Sequence, residues 1–232
     1  MTTRTTWNAT FLSVLALGIL MAGGCGTTTA SVQKDDPAGG EYTFNAKALI
    51  QKADELFKDK KFIEAGQEYR SFLDLHPVHE SASYAQYRIG LCYHKQVDTI
   101  DRDMDPVYKA LDAFQTLLSL YPESPYGADA REKIKVLQNQ LADREFYVGK
   151  FYLGKHVFPA AIERFKNVLQ NYPNSPVVDQ ALYHLALAYE ASGDASQAVE
   201  SVKALLDRYP NTRFKVGASE VLSRLNGKEK SL

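Results

Sequence analysis

A tyrosine–proline motif recurs along this chain of 232 residues, and it constrains the fold more than any other feature. Segments 117–130 and 168–182 read LLSLYPESPYGADA and VLQNYPNSPVVDQAL, and two looser copies begin at Phe72 and Leu205. Proline has no backbone N–H and clashes with the preceding helical turn, so each copy predicts the end of a helix. The sequence therefore predicts four helices that end in the same way.

The residues before each proline predict that the helix itself is also repeated. The four prolines are Pro77, Pro122, Pro173 and Pro210. An alanine lies 12 residues before each proline, at Ala65, Ala110, Ala161 and Ala198. Larger apolar residues lie eight residues before, at Tyr69, Phe114, Phe165 and Val202, and five before, at Phe72, Leu117, Val168 and Leu205. Apolar residues at i, i+4 and i+7 share one helix face, and the small alanine lets a neighbouring helix approach closely.

A second helix is predicted before each of these, with a small residue at its crossing point: Ala53, Gly90, Gly149 and Ala186. Helix pairs of this kind with a terminal proline match the tetratricopeptide repeat of about 34 residues. The predicted fold is all-α, a right-handed superhelical solenoid of about five repeats whose units bury their apolar faces against each other. The wide gap before Pro173 predicts one long helix, from about Tyr126 to Leu153.

The second unit carries an insertion of about eight residues with the sequence DRDMDP at its end. A calcium loop starting at Asp101 would need a glycine where Pro106 stands. The plainer interpretation is a helix start with Asp105 as the N-cap and Pro106 in the first turn. By the same reasoning Pro125 and Pro176 are predicted in the first turns of their helices.

The N-terminus is typical of a lipoprotein signal peptide, predicted over residues 1–24. Arg4 precedes eleven mostly apolar residues, FLSVLALGILM, which make roughly 17 Å of helix and are too short to span the hydrocarbon core. The AGGC that follows resembles a lipobox, which implies cleavage before Cys25 and acylation of that residue, palmitate included. Unmodified secretion is the alternative. Three acyl chains would anchor the protein stably to a membrane.

The remaining chain divides by composition into four predicted parts. Residues 25–40 are small and polar and predict a flexible tether. Residues 41–122 hold the first two repeats, residues 123–226 hold repeats three to five, and residues 227–232 form a tail. After Pro210 a single further helix either caps the stack or half-forms a fifth repeat. With Cys25 acylated, Cys92 is left alone as a buried, inert thiol.

Composition and motifs argue against several function classes. The formal net charge of −1 is too balanced for a general nucleic-acid binder. The five histidines form no zinc pattern, and no P-loop, GxSxG or GxGxxG motif occurs. We therefore expect no catalytic residues, no metal site and no cofactor, and we predict that the chain is not an enzyme.

What remains is a binding surface on the first helices of the repeats. The positions expected on the concave side form a candidate substrate groove: Lys47, Phe57, Lys58, Tyr84, Tyr87, His94 and Lys95. Aromatic rings edged by lysines suit an extended peptide with aromatic side chains and a terminal carboxylate. The alternative is that Tyr84 and Tyr87 only pack between helices.

The run from DRDMDP through the long-helix end REFYVGKFYLGK to AAIERF and NYPNSP resembles the BamD family, also called ComL or YfiO. The resemblance covers about residues 41–226. It implies an outer-membrane lipoprotein on the periplasmic face, within the β-barrel assembly (BAM) complex. It implies that the N-terminal repeats recognise unfolded outer-membrane proteins and that the C-terminal repeats hold the POTRA region of BamA beside other BAM lipoproteins. Arg164 matches a family arginine and is expected on the BamA side, or else is a solvated charge. The alternative is another tetratricopeptide lipoprotein, serving pilus assembly or Tol–Pal cell-division coordination.

Overall fold

The computed structural model describes residues 45–97 and 103–229, and within these ranges the regular structure is helical throughout. Cys25, the signal peptide, the tether and Asp101 lie outside the described residues. The helices are α1 (Ala46–Lys58), α2 (Phe62–Leu75), α3 (Ala82–His94), α4 (Asp105–Leu120), α5 (Gly127–Gly154), α6 (Phe158–Asn171), α7 (Val178–Ser192), α8 (Ala195–Arg208) and α9 (Lys215–Glu229). The predicted all-α tetratricopeptide-repeat solenoid is confirmed.

The helices pack as successive antiparallel pairs. Each helix contacts the next along the chain, and α9 packs against both α7 and α8. The pairs α1–α2, α3–α4, α5–α6 and α7–α8 are four repeats, and α9 is the predicted single helix after Pro210. This nearest-neighbour arrangement is what distinguishes a solenoid from a bundle with one central core.

The four helix ends before the prolines share one backbone geometry. The C-cap residues His76, Tyr121, Tyr172 and Tyr209 have φ values of −134°, −129°, −132° and −132°. Each donates its N–H to the carbonyl oxygen four residues earlier, and three residues later a second turn closes onto the cap carbonyl. With ψ values of 51° to 67°, these caps lie outside the helical region, which the proline disfavours in the residue before it.

The predicted core positions are confirmed in all four repeats. The alanines twelve residues before the prolines and the larger residues eight and five before are fully buried: Ala65, Tyr69, Phe72, Ala110, Phe114, Leu117, Ala161, Phe165, Val168, Ala198, Val202 and Leu205. At the crossing points, the rings eight residues before the proline press on the small residues of the first helix. A Cβ on Gly90 would overlap the Phe114 ring, and a Cβ on Gly149 would lie 2.6 Å from Phe165 Cε1.

Helix α5 has 28 residues, about 42 Å of helix, and belongs to two cores. Its first half places Ala130, Leu137 and Leu141 in the same cluster as α4. Its second half places Ala142 and Phe146 in the cluster of α6 and α7. The predicted long helix is therefore confirmed, and it joins the two halves of the described solenoid.

Three predicted helix starts were wrong by one or two residues. Helices α5 and α7 begin at Gly127 and Val178, so Pro125 and Pro176 lie in the turns before them. The N-cap of α4 is Met104, whose side chain makes no capping bond, and Asp105 is the first helical residue. The double turn after each proline uses residues that the sequence pattern had assigned to the next helix.

Candidate functional site

Two of the predicted groove residues, Phe57 and Tyr84, belong to a cluster around the carboxylate of Asp54. Asp54 on α1 accepts hydrogen bonds on Oδ1 from the hydroxyls of Tyr69 and Tyr84, the latter at 2.6 Å. Arg88 on α3 pairs with the same oxygen at 3.4 Å and donates to the Tyr84 hydroxyl at 2.9 Å. Three helices of two different repeats are therefore tied together at Asp54.

Arg88 also joins the aromatic rings of this cluster. Its guanidinium lies over Phe57 at 3.9 Å from the ring centre, and over Tyr84 and Tyr69 at 5.3 and 5.5 Å. Such contacts favour the charged guanidinium in a site that is shielded from water. Its Nε is buried and has no hydrogen-bond partner within the described part of the chain. The Arg88 Nε–H is therefore a hydrogen-bond donor that no described residue satisfies.

Burial makes these phenols very weak acids. Desolvation first, and then the hydrogen bond to Asp54, raises the pKa of Tyr84 to about 12. The same two causes raise the pKa of Tyr69. Both hydroxyls therefore remain protonated throughout the physiological range, so they serve as hydrogen-bond donors rather than as proton carriers.

Tyr87 lies one turn along α3 in a second aromatic contact. Its ring stacks on Tyr126 at 4.8 Å between centres, with an angle of 11° between the planes. Its hydroxyl donates to Asp129 Oδ2 at 2.6 Å, and burial and this bond raise its pKa. The Tyr126 ring also lies 5.8 Å from Tyr84. Three half-buried tyrosines, Tyr84, Tyr87 and Tyr126, therefore form a continuous strip from α3 to the start of α5.

The predicted lysines do not gather around this strip. Lys47 and Lys58 lie at opposite ends of α1, about 16 Å apart along the helix axis, and Lys95 is the exposed C-cap of α3. His94, the last residue of α3, is half-buried. Burial first, and then Lys133 and Lys95, lower the pKa of His94. The structure brings Phe57, Tyr84 and Arg88 together and leaves the lysines at the helix ends.

Arg164 on α6 is held by α5. Its Nη1 lies 3.2 Å from both carboxylate oxygens of Glu145, and Asn167 Nδ2 donates to the same carboxylate at 3.3 Å. Its side chain remains 39% exposed. Arg164 is therefore a fixed, half-exposed guanidinium rather than a freely solvated charge.

Sequence reasoning missed the partners that organise the candidate groove. Arg88, Tyr69, Tyr126 and Asp129 were not assigned to it, although each contacts an assigned residue. One signal was present for Arg88, which follows Tyr84 by one helical turn and so shares its face. The pairing with Asp54, 34 positions earlier, depends on how the repeats stack.

A cavity of about 710 Å³ lies elsewhere, between α2, α3 and α4. Tyr93, Tyr108 and Tyr121 line it beside Arg70 and Asp112. Arg70 donates to the Tyr93 hydroxyl. Tyr121 donates to the Pro77 carbonyl at 3.3 Å, which links the first two helix endings.

Neither a metal-binding cluster nor a reactive thiol occurs among the described residues. Among them, no three His, Cys, Asp or Glu side chains are grouped so that they could hold a metal ion. Cys92 is buried, and desolvation raises the pKa of its thiol to about 12, so it is not nucleophilic. Within the described ranges no helix has the length and apolarity that a membrane crossing requires.

Two protein-family models match the chain. The YfiO model, described as outer membrane lipoprotein, matches residues 38–195. A tetratricopeptide-repeat model matches residues 180–212. The first covers both the Asp54 cluster and the Arg164–Glu145 pair.

Curated relatives are each named outer membrane protein assembly factor BamD. The Rickettsia prowazekii protein is 30% identical over 176 residues, which cover 76% of this chain and 69% of the relative. The Caulobacter vibrioides protein is 32% identical, with 72% of this chain and 55% of the relative covered. The Vibrio cholerae protein is 28% identical, with 80% and 82% covered.

Solved tetratricopeptide-repeat structures are also similar, at lower levels. One is YrrB, described as a TPR protein with an unusual peptide-binding site, at 18% identity and a TM-score of 0.33, covering 76% of this chain and 93% of that one. Another is the TPR2AB domain of yeast Sti1 in complex with an HSP90 peptide, at 15% identity and a TM-score of 0.35, covering 81% and 79%. At these TM-scores the likeness says nothing about what this chain binds.

Proposed function

The chain belongs to the YfiO family of outer membrane lipoproteins, and we propose on this basis that it is an assembly factor for outer-membrane proteins. It acts as a non-catalytic scaffold, anchored through Cys25 at the periplasmic face of the outer membrane. Its substrates are unfolded β-barrel proteins, and its main partner is the barrel-forming subunit BamA. The names of the relatives support the assembly role. The contacts of Arg88 and Arg164 support separate sites for substrate and for BamA.

The proposed substrate-binding role depends on the Asp54–Arg88 cluster. The strip of Tyr84, Tyr87 and Tyr126 offers half-buried ring faces to aromatic side chains. Arg88, whose side chain is 18% exposed, supplies a cation, and a guanidinium suits a carboxylate. We propose that an extended segment with aromatic side chains and a terminal carboxylate binds here, with Lys95 at the exposed end of α3.

The second half of the solenoid is proposed to hold BamA. Arg164 is the candidate contact, because Glu145 fixes its position while 39% of its side chain stays exposed. A guanidinium that is already ordered loses less entropy on binding than a free one. Other BAM lipoproteins are proposed as further partners.

Depletion in cells tests the general function. If the chain is removed, we expect the level of folded outer-membrane barrels to fall, as measured by their heat-modifiable mobility in gels of outer-membrane fractions. Full-length protein should restore the level, and a Cys25→Ala form should not, because the mature chain would lose its anchor. Unchanged barrel levels after depletion would refute the assembly role.

A peptide titration tests the groove. A synthetic peptide that ends in an aromatic residue is titrated against the mature chain by fluorescence anisotropy. We expect Tyr87→Ala combined with Lys95→Ala to weaken binding about tenfold, since one stacked ring and one charge together contribute roughly 1.4 kcal/mol. The matched control is Lys61→Ala, an exposed lysine outside the proposed groove. Equal affinity in all proteins would return Tyr87 to a packing role.

A further inference from the structure

Two exposed aromatic residues lie on the second half of α5. The Tyr147 side chain is 56% exposed and Phe151, one turn further along, is 55% exposed. They share a helix face because they are four residues apart. Large aromatic side chains in this position are a cost to a soluble surface unless something covers them.

The same register in the other repeats is used to contact the preceding repeat. Tyr147 and Phe151 lie five residues and one residue before Tyr152. Tyr152 corresponds to Tyr93 in α3, so the equivalent positions there are Arg88 and Cys92. Arg88 contacts Phe57 and Asp54 of α1, and Cys92 lies 3.6 Å from the position of a Cβ on Gly66 in α2. The pair in α3 is thus covered by the α1–α2 hairpin.

The fourth repeat and the single helix α9 follow the same rule. In α7 the equivalent residues are His184 and Ala188. His184 packs on Phe146 of α5 and Phe165 of α6, at 5.1 and 5.8 Å between ring centres, and Ala188 is fully buried. In α9 they are Val221 and Leu225, both buried where α9 packs against α7 and α8.

The third repeat is the exception because α5 is so long. The α3–α4 hairpin is packed against the first half of α5, at Leu137 and Leu141. No described hairpin precedes the second half, so the face of Tyr147 and Phe151 stays open. It is an internal position in the stack that lacks its usual neighbour.

In the first repeat, which no described repeat precedes, the equivalent positions are also uncovered but are occupied by polar residues. In α1 the equivalent residues are Gln51 and Glu55, which are both exposed and polar. Polar outer faces are what end repeats need for solubility. The aromatic pair in α5 therefore differs from a finished end, although it is as open as one.

We propose that this face docks an acidic amphipathic helix of a partner protein. In the other repeats, helices cover the equivalent positions. We therefore expect the partner segment that covers Tyr147 and Phe151 to be a helix too. Lys150 and Lys155 flank the aromatic pair and are exposed, with Lys155 Nζ 5.8 Å from the Phe151 ring centre. Arg144 and Asp143 on the same side offset one another, so the excess charge is positive. Carboxylates beside the apolar face of the incoming helix would pair with these lysines. This inference rests on the proposed scaffold role and supplies it with a second binding face.

Photo-crosslinking in cells tests the proposal with the full-length lipoprotein. Tyr147→p-benzoylphenylalanine is expected to crosslink to one partner, and mass spectrometry of the product should map the site to a helix with carboxylates beside apolar residues. The matched control is Gln51→p-benzoylphenylalanine, the same register in the first repeat, which should give several-fold less product. A crosslink to a second copy of this chain, to a basic or extended segment, or to nothing would overturn the proposal.

Charge reversal provides the second arm. Lys150→Glu with Lys155→Glu should lower the crosslink yield about tenfold, and reversal of the mapped carboxylates to lysine should restore it. Tyr147→Ser with Phe151→Ser should reduce co-purification of the same partner about tenfold or more, because buried aromatic anchors dominate such interfaces. Thermal melts of the variants serve as the control that these exposed substitutions leave the fold intact. Absence of the Tyr147 crosslink in cells that keep normal barrel levels would refute the docking face alone, whereas unchanged barrel levels after depletion would refute the assembly role.

Discussion

At the scale of single residues, the contact between Gly90 and the Phe114 ring leaves no space for a methyl group. We expect Gly90→Ala and Gly149→Ala each to lower the free energy of unfolding by about 1–3 kcal/mol, because both overpack the crossing of two helices. Urea unfolding of the purified mature chain measures this loss.

Gly154 is the matched control for that prediction. It also lies in α5, but a Cβ there would meet nothing within 4 Å. Gly154→Ala should be neutral or stabilising by up to about 1 kcal/mol, since alanine is the better helix former. If all three substitutions behaved alike, steric crowding at the crossings would not be the cause.

His184 makes stability depend on pH. It is packed among Phe146, Phe165 and Phe214, and burial, then Lys150 and Arg213, lower its pKa, while its hydrogen bond with Gln180 opposes the shift. A base with a depressed pKa in the folded chain binds its proton more readily when unfolded. The stabilising contribution of neutral His184 is therefore fully present above about pH 6.5 and is lost as the pH falls below that value.

Thermal melts between pH 7.5 and 5.5 check this dependence. The wild-type chain should lose stability on acidification, and His184→Gln should lose less between the same two pH values, although it starts lower. Some dependence should persist, because burial also lowers the pKa of His94. An equal loss in both proteins would exclude His184 as the source.

Local spacing predicts buried residues well and side-chain partners poorly. Ala65, Tyr69 and Phe72 were assigned to the core from their offsets to one proline, and all are fully buried. The offsets suffice because one helix face must be covered in every repeat. The bond from Tyr84 to Asp54 crosses 30 positions and depends on the rotation of α3 against α1, which no local pattern encodes.

At the scale of elements, helix ends were predicted better than helix starts. Each of the four helices ends two residues before its proline, because the proline disfavours helical dihedrals in the residue that precedes it. Helix α5 begins one residue after the predicted Tyr126, and α7 begins at Val178, two residues after Pro176, which was predicted in its first turn. Ser124 and Ser175 hold turns there by accepting N–H groups two residues on, so the serines serve the corner instead of capping the helix.

Helix α5 is the element on which both cores depend. Gln138 lies near its middle and is exposed. We expect Gln138→Pro to cost about 3 kcal/mol or more, because proline removes a helical hydrogen bond and clashes with the preceding turn. Because the cores on either side would lose their continuous link, urea unfolding should change from one transition to two. Gln138→Ala, which keeps the helix, should retain a single transition.

At the scale of the whole molecule, stability should add up from neighbouring repeats. Removal of residues 214–232 deletes α9, with buried Ala218, Val221 and Leu225. We expect hydrogen-exchange protection to fall in α7 and α8, which contact α9, and to stay unchanged in α1–α4. The control Val216→Ser changes an exposed residue of α9 and should leave protection intact. A uniform loss along the chain would instead indicate one cooperative core.

The long helix also sets a distance. Its ends lie about 42 Å apart along one continuous hydrogen-bonded rod, with one filled interior on each half. A polypeptide seated on the first two repeats and another seated on the last ones would be held at a spacing given by the count of residues in α5. The protein would then hold the two bound chains at a constant spacing, and four residues added to α5 would move them apart by about 6 Å and rotate one against the other by about 40°.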